Sequence, residues 1–224
     1  MFNRKTISFL KELNQNNNKI WFDQNRQRYE DEVRTPALNY IESMDQHMAK
    51  ISPHFVVSAK KVGGSLMRVH KDIRFSKDKT PYKTNIGIQF RHARGKDVHA
   101  PGFYLHIEPG DVFLAAGIWR PESNTLKNVR TLMDEYPKEW KKISRKLIVS
   151  NKFTFGGESL KRPPKGFQVE HPLIDDLKRK DLIAVQNLKI SSVYAKDFSK
   201  QSAQLFKTVA PLVKFICDAD DLPF

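Results

Sequence analysis

The chain has 224 residues, 39% of them hydrophobic and 29% charged, with a formal net charge of +14; it is long enough to bury a sizeable core, and disorder is disfavoured. Its apolar stretches are only a few residues long, far short of the roughly 20 of a membrane-spanning helix, and its first residues lack a signal-peptide pattern. The single cysteine, Cys217, excludes an internal disulfide and predicts a cytoplasmic protein.

The first third of the chain has the apolar spacing of helices. Two helical stripes contain Phe9, Leu10, Leu13, Phe22, Tyr29 and Val33. An asparagine-rich run at 14–18 separates them, and one of its asparagines is expected to cap the second helix by accepting a backbone N–H. Thr35-Pro36 then predicts either a new helix start or a kink in one long helix that continues to Ile51.

The middle of the chain changes to the alternating pattern of half-buried strands. Three segments alternate in this way, with apolar residues Met67, Val69, Ile73, then Ile86, Ile88, Phe90, then Phe103, Leu105, Ile107. The turn at 108–111 predicts a hairpin whose apolar face pairs Ile107 with Val112, Leu105 with Leu114 and Phe103 with Ala116. We therefore predict a meander of about four strands between residues 55 and 119.

Helical spacing returns after Trp119. Two helices are predicted from Leu126, Val129, Leu132 and Met133 and, after Pro137, from Trp140, Ile143 and Leu147. A loop over 153–167, a helical turn and a strand from Leu182 to Ile190 follow. The last helix has an apolar face of Phe198, Leu205, Val209, Leu212 and Ile216. These elements predict a single α+β domain over 1–224, with a central antiparallel sheet flanked by N-terminal and C-terminal helices.

Two regions carry the whole excess of positive charge. Residues 60–100 hold eleven Lys and Arg against three Asp and Glu, a balance of +8, and residues 138–189 hold thirteen against six, a balance of +7. The remainder holds fifteen against sixteen. Such a field attracts phosphates, nucleic acid or anionic membrane surfaces, and a well-solvated basic surface is the alternative interpretation.

The segment 68–83 is the predicted ligand site. If 68–74 is a strand, its period of two puts two arginines, a histidine and a carboxylate on one face, where an anion or further carboxylates must balance them. In the alternative interpretation the segment binds no ligand, and its charges are balanced within the protein because Asp72 and Glu108 pair with Arg68 and Arg74. The predicted ligand-binding residues are Arg68, His70, Asp72, Arg74, Lys77, Lys79, Tyr82, Lys83 and Tyr104.

Acid–base chemistry is a second hypothesis, for which the candidate catalytic residues are His70, His106, Asp72 and Glu108. His106 and Glu108 share one face of a predicted strand, but a single His-x-Glu is a weak signal for a metal, and neither a metal nor a cofactor is predicted. The sequence has no P-loop, no dinucleotide-binding glycine motif and no nucleophile elbow. The tryptophans at 21, 119 and 140 can stack bases, although aromatic residues at helical spacing are usually core.

Four segments carry a resemblance to a known family: NNNKIWFD at 16–23, DIRFSKDKTPYK at 72–83, GFYLHIEPG at 102–110 and RPPKGF at 162–167. Together they resemble a widespread microbial family known as domain of unknown function 2461. The resemblance covers nearly the whole chain and implies one full-length domain. It implies no activity, so no catalytic residues follow from it.

Three functions remain open. The first is binding of a phosphate-bearing or other anionic ligand, which includes small molecules and nucleic acid. The second is a hydrolase or transferase acting on an anionic substrate through His and carboxylate chemistry. The third is an interaction protein that meets an acidic partner through 138–189. The sequence does not predict an oligomeric state.

Overall fold

The computed structural model describes residues 2–95, 99–150 and 153–224. Its α-helices are α1 (Arg4–Gln15), α2 (Lys19–Gln24), α3 (Arg26–Tyr29), α4 (Thr35–Ala49), α5 (Ser123–Glu135), α6 (Pro137–Arg145), α7 (Ile174–Leu177) and α8 (Phe198–Ala219). Its strands are β1 (Ile86–Arg91), β2 (Gly102–Glu108), β3 (Asp111–Ile118), β4 (Thr154–Gly156) and β5 (Leu182–Asn187). Within these residues the strands form one antiparallel sheet in the order β1-β2-β3-β5-β4.

The N-terminal helices follow the predicted caps and breaks. The Asn18 side chain accepts a hydrogen bond from the Trp21 N–H at 3.0 Å and starts α2, as the asparagine-rich run predicts. α3 and α4 form one continuous helix through the π-helical segment Glu30–Arg34, so the prediction of one long helix that contains Pro36 is right and a new start at Thr35 is wrong. Pro36 lacks an N–H and crowds the preceding turn, which the wider π turn accommodates.

The sheet packs one face against the C-terminal helix. The register of β2 and β3 is the predicted one, with Ile107 opposite Val112. Alternate residues of β1, β2 and β3 point into the core, where the Phe103 ring lies 5.2 Å from the Phe206 ring of α8. Helices at both ends of the chain and an antiparallel sheet between them confirm the predicted α+β fold.

Residues 67–73 do not form the predicted strand. Gln89 of β1 donates to the Ser65 carbonyl, and Met67 donates to the Gly87 carbonyl, so the chain covers the β1 edge only as far as 67. Beyond that point it turns away and pairs with 81–83. The Lys71 N–H donates to the Pro81 carbonyl, but Pro81 has no N–H with which to continue a ladder.

The remaining strands also differ from the predicted meander. Of the strands that the structure describes, three lie between 55 and 119, and the other two come from later in the chain. The predicted loop 153–167 contains β4, which pairs with β5. β5 ends at Asn187 rather than at Ile190, because a 3-10 helix occupies Ile190–Tyr194.

Cys217 and Trp140 are fully buried, which makes both core residues. Burial raises the pKa of the Cys217 thiol to about 12, so the thiol stays neutral and unreactive. No helix within the described ranges is both long and apolar enough to cross a membrane.

Candidate functional site

The sheet face that turns away from α8 forms a cavity of about 600 Å³. Its floor is a cross-strand row in which Gln89, Tyr104, Ala115 and Val185 lie side by side on β1, β2, β3 and β5. The walls come from the segment before β1, from the residues that flank β2 and β3, and from β4. Their lining residues are Met67, Lys83, Ala100, Trp119 and Gly157.

Glycines give this face its concave shape. Gly102, Gly117 and Gly156 lie in the row next to the floor and line the cavity, on β2, β3 and β4. Because glycine has no side chain, this part of the sheet leaves a volume that a ligand can occupy. Gly87 serves a different purpose, because a Cβ there would lie 2.8 Å from the Tyr104 hydroxyl oxygen. The Tyr104 ring therefore lies over the backbone of β1.

Lys83 is a half-buried cation at the wall of this mostly apolar cavity. Its ammonium group forms no ion pair within the described residues. Burial, together with the positive charge of Arg68, lowers the pKa of Lys83. A lysine in this situation is stabilised by any anion that enters the cavity, because the anion replaces the lost water and offsets the repulsion from Arg68.

A chain of hydrogen-bonding groups leads from the cavity floor to a carboxylate. The Tyr104 hydroxyl oxygen lies 3.1 Å from His106 Nδ1, and His106 Nε2 lies 3.4 Å from Glu108 Oε2. Glu108 also accepts a 2.6 Å hydrogen bond from the Thr84 hydroxyl, and the His106 ring stacks on Phe113 with centroids 4.6 Å apart. These contacts fix the histidine ring in one orientation.

The partners of His106 also determine the tautomer of its neutral form. The Glu108 carboxylate can only accept, so Nε2 carries the proton toward it and the single lone pair of Nδ1 acts as the acceptor. The Tyr104 hydroxyl at 3.1 Å is the nearer donor to Nδ1, and Asn85 Nδ2 lies at 3.4 Å. Tyr104 then donates its O–H to Nδ1 and turns oxygen lone pairs toward the cavity. Burial and the negative charges of Glu108 and Asp111 raise the pKa of Tyr104 to about 12, so the phenol stays protonated at neutral pH.

The opposite wall is held by a buried carboxylate. Asp181 is only 4% exposed and accepts hydrogen bonds from the backbone N–H groups of Arg120 at 2.7 Å and Glu158 at 2.9 Å. The two N–H groups belong to the residues that come directly after the wall residues Trp119 and Gly157. Asp181 therefore ties the end of β3 to the end of β4 and sets the width of the cavity on this side.

The basic segment 68–83 does not form the predicted row of side chains. Arg74 pairs with Asp72 at 2.7 Å but is 76% exposed, and Lys71 pairs with Asp78 at 2.8 Å. The Arg74 contact lowers the pKa of Asp72 to about 2, which keeps this carboxylate ionised. Acidic side chains of the hairpin over 71–81 thus neutralise some of its own basic side chains. This is the charge balance within the protein that the alternative interpretation predicts for Asp72 and Arg74.

The other predicted residues divide between the cavity and its surroundings. Lys83 and Tyr104 line the cavity, and Arg68 acts on Lys83 through its charge. Lys77 and Lys79 are exposed on the hairpin, where Lys79 Nζ donates to the Ile73 carbonyl at 3.0 Å. Neither lines the cavity.

The four catalytic candidates lie in three separate places. His106 and Glu108 are in contact, whereas Asp72 belongs to the exposed hairpin. His70 packs against Phe22 and Tyr82, with ring centroids 6.4 and 5.2 Å away, and shares no contact with His106 within the described residues. Tyr82 is buried and stacks on Phe22 at 4.0 Å, so its ring belongs to the core and does not line the cavity.

Several residues of the cavity escaped the sequence analysis because their strands are far apart in the chain. They are Met67, Gln89, Phe113, Ala115, Ile183 and Val185, whereas Trp119 was considered for base stacking. One signal was available: small residues at 102, 115 and 117 alternate with core residues on β2 and β3, which marks an unfilled face. In the part of the chain that the structure describes, no three His, Cys, Asp or Glu side chains form a metal site.

Comparison with known proteins adds one finding. A family model described as conserved hypothetical protein (DUF2461) matches residues 5–215. No curated protein and no solved structure matches the chain. The match extends over every strand of the sheet and so includes the whole cavity.

Proposed function

Because this chain belongs to DUF2461, a family described only as conserved hypothetical proteins, we propose its function from the cavity: it binds a small organic anion on the open face of the sheet. The ligand has a phosphate, carboxylate or sulfonate group and an apolar body. Lys83 is the partner of the anionic group, and Met67, Phe113 and Trp119 contact the body. A cavity of about 600 Å³ lies within the usual range for sites of this kind.

The half-buried ammonium group of Lys83 is the observation that carries this proposal. A cation that lacks an ion pair and lies next to a second cation is costly in an apolar wall, and an anionic ligand removes that cost. Gln89 and Tyr104 add polar groups on the floor that can orient the ligand. The few polar groups and many apolar ones are typical of small-molecule sites.

We expect the aromatic sulfonate anilinonaphthalene sulfonate to bind this cavity, and Lys83→Met to weaken its binding about tenfold or more. Loss of one charge-assisted contact costs roughly 1.5–3 kcal/mol, and about 1.4 kcal/mol corresponds to a factor of ten. The measurement is a fluorescence titration of the full chain. Lys127→Met removes an exposed lysine of α5 and should leave the affinity unchanged.

Ala115→Leu is the companion variant, because a larger side chain on the floor fills the cavity without changing charge. It should abolish dye binding while circular dichroism shows an intact fold. If both variants bind the dye like the wild-type protein, the dye binds elsewhere and the proposal is wrong.

Hydrolysis of an anionic ester is a second candidate function, favoured by the chain Tyr104–His106–Glu108. Water adds to the phosphorus of a phosphomonoester, and its proton passes through Tyr104 to His106 Nδ1. As the bond to the leaving oxygen breaks, the protonated histidine returns the proton through Tyr104 to that oxygen, which departs as an alcohol or phenol. Glu108 orients the histidine through Nε2. The end of this chain lies on the cavity floor, where it can meet a ligand held by Lys83.

Nitrophenyl phosphate tests this second candidate, because it has an aromatic body and a phosphate. Its hydrolysis should fall about 100-fold or more in His106→Asn with little change in KM, since general acid–base catalysis contributes factors of this size. His47→Asn, on α4, is the matched control. If the wild-type protein binds nitrophenyl phosphate in competition with the dye but does not hydrolyse it, the chain binds its ligand without catalysis.

A further inference from the structure

A second cavity, of about 550 Å³, lies between α6 and α8 and shares no lining residue with the cavity of the sheet. Its long walls are Lys138, Lys142 and Lys146 on one side and Lys214 on the other. Its floor is apolar and contains Ile143, Leu147, Pro211 and Phe215. We call this cavity the α6/α8 groove.

The lysines of the first wall are regularly spaced. Residues 138, 142 and 146 are four apart, so they follow one another at intervals of about 6 Å along the helix axis. Lys141 and Arg145 extend the same exposed basic surface. Within the described residues, Lys138, Lys141, Lys142 and Arg145 form no ion pair. Like charges four residues apart destabilise a helix by roughly 0.2–0.5 kcal/mol per pair, so an acidic partner stabilises this surface.

The lining of the groove distinguishes between acidic partners. Glu139 and Asp218 also line it. Asp218 pairs with Lys214 at 2.6 Å and so reduces the positive charge of that wall, and Glu139 repels a continuous phosphate backbone. Its aromatic residue, Phe215, is 3% exposed and offers no open ring for a nucleic-acid base. An apolar floor between charged walls instead suits an amphipathic helix, which binds such a groove with its apolar side down.

We propose that the α6/α8 groove binds an amphipathic helix of a partner protein whose flank has acidic residues four positions apart. Such residues recur every 6 Å or so along their helix, the same interval as Lys138 and Lys142 of α6 and Lys146 directly after it. The apolar side of the partner covers Ile143 and Pro211, which are the accessible residues of the floor, and its acidic flank meets the lysine wall. This inference is independent of the small-molecule function, because the two cavities are separate.

The test uses a synthetic amphipathic peptide with leucines on one helical face and glutamates four apart on its flank, labelled for fluorescence anisotropy. We expect the full chain to bind it with a Kd on the order of micromolar. The triple variant Lys138→Glu, Lys142→Glu, Lys146→Glu should weaken binding tenfold or more. A matched triple variant at exposed lysines elsewhere, Lys60→Glu, Lys61→Glu, Lys127→Glu, has the same net charge and should bind like wild type.

Ile143→Ser distinguishes binding in the groove from binding to its surface charge alone, because it makes the floor more polar without changing the net charge. It should also weaken the peptide complex several-fold while far-UV circular dichroism remains unchanged. The proposal is overturned if no saturable binding occurs up to about 100 times the expected Kd, or if the two triple variants lose affinity equally. Tighter binding of a single-stranded oligonucleotide than of the peptide also overturns it, in favour of a nucleic-acid surface.

Discussion

Gly117→Ala should lower the free energy of unfolding by about 3 kcal/mol or more, the largest effect that we expect from a single methyl group in this protein. Gly117 has φ +131, and a Cβ at this position would lie 1.9 Å from the Leu182 carbonyl oxygen. Both the backbone conformation and the close approach of β3 to β5 therefore require glycine. In a chain of this length, such a loss corresponds to a drop of about 6–12 °C in Tm.

Gly110→Ala is the matched control for this prediction. Gly110 also has a positive φ, +92, but no atom lies within 4 Å of the position that a Cβ would take. Its substitution should cost only the backbone strain, roughly 1 kcal/mol. Differential scanning calorimetry compares the two variants, and equal losses of stability would contradict the proposed clash. Because Gly117 also lines the cavity, its variant should bind the dye more weakly even below its Tm.

Asp181→Ala is expected to cost about 3 kcal/mol, because it leaves two backbone N–H groups without the buried charged acceptor that they share. The carboxylate accepts from Arg120 and Glu158, and hydrogen bonds to a charged group contribute roughly 1.5–3 kcal/mol each. Arg120 has a positive φ of 47 that this contact helps to hold. Loss of the contact should let the ends of β3 and β4 separate.

Urea unfolding measures this effect, and Asp175→Ala on α7 is the control because that carboxylate is exposed. The control should stay within about 0.5 kcal/mol of wild type. Asp181→Asn keeps one acceptor oxygen and should have an intermediate stability. Equal stability of the two alanine variants would show that Asp181 does not hold the two strand ends together.

Local patterns were sufficient for most of the fold. The alternation in β2 and β3 and the Pro109-Gly110 turn determined the hairpin register, because one apolar face allows only one pairing. The helical stripes likewise predicted α1, α4, α5, α6 and α8. The prediction of a strand at 67–73 was wrong although the residues do alternate. The segment that pairs with them contains Pro81, which has no N–H and cannot extend a ladder of hydrogen bonds.

The candidate site was predictable only in part. Tyr104 and Lys83 were singled out for their chemistry, and both line the cavity. Arg74 and Asp72 were singled out for the same reason, yet the turn after residue 67 carries them onto an exposed hairpin where they pair with each other. A charged residue in a sequence does not reveal whether its nearest counter-charge comes from a ligand or from two residues away.

The sequence by itself determined the class of elements, the central hairpin and the positive charge, because these depend on the spacing of neighbouring residues. Only the tertiary structure decided where a ligand can bind. β5 joins the sheet between β3 and β4 from more than sixty residues after β3, and no local pattern encodes that neighbour. The cavity exists because this long-range pairing brings the glycines and the floor residues of four strands onto one face, beside a lysine that the edge segment supplies.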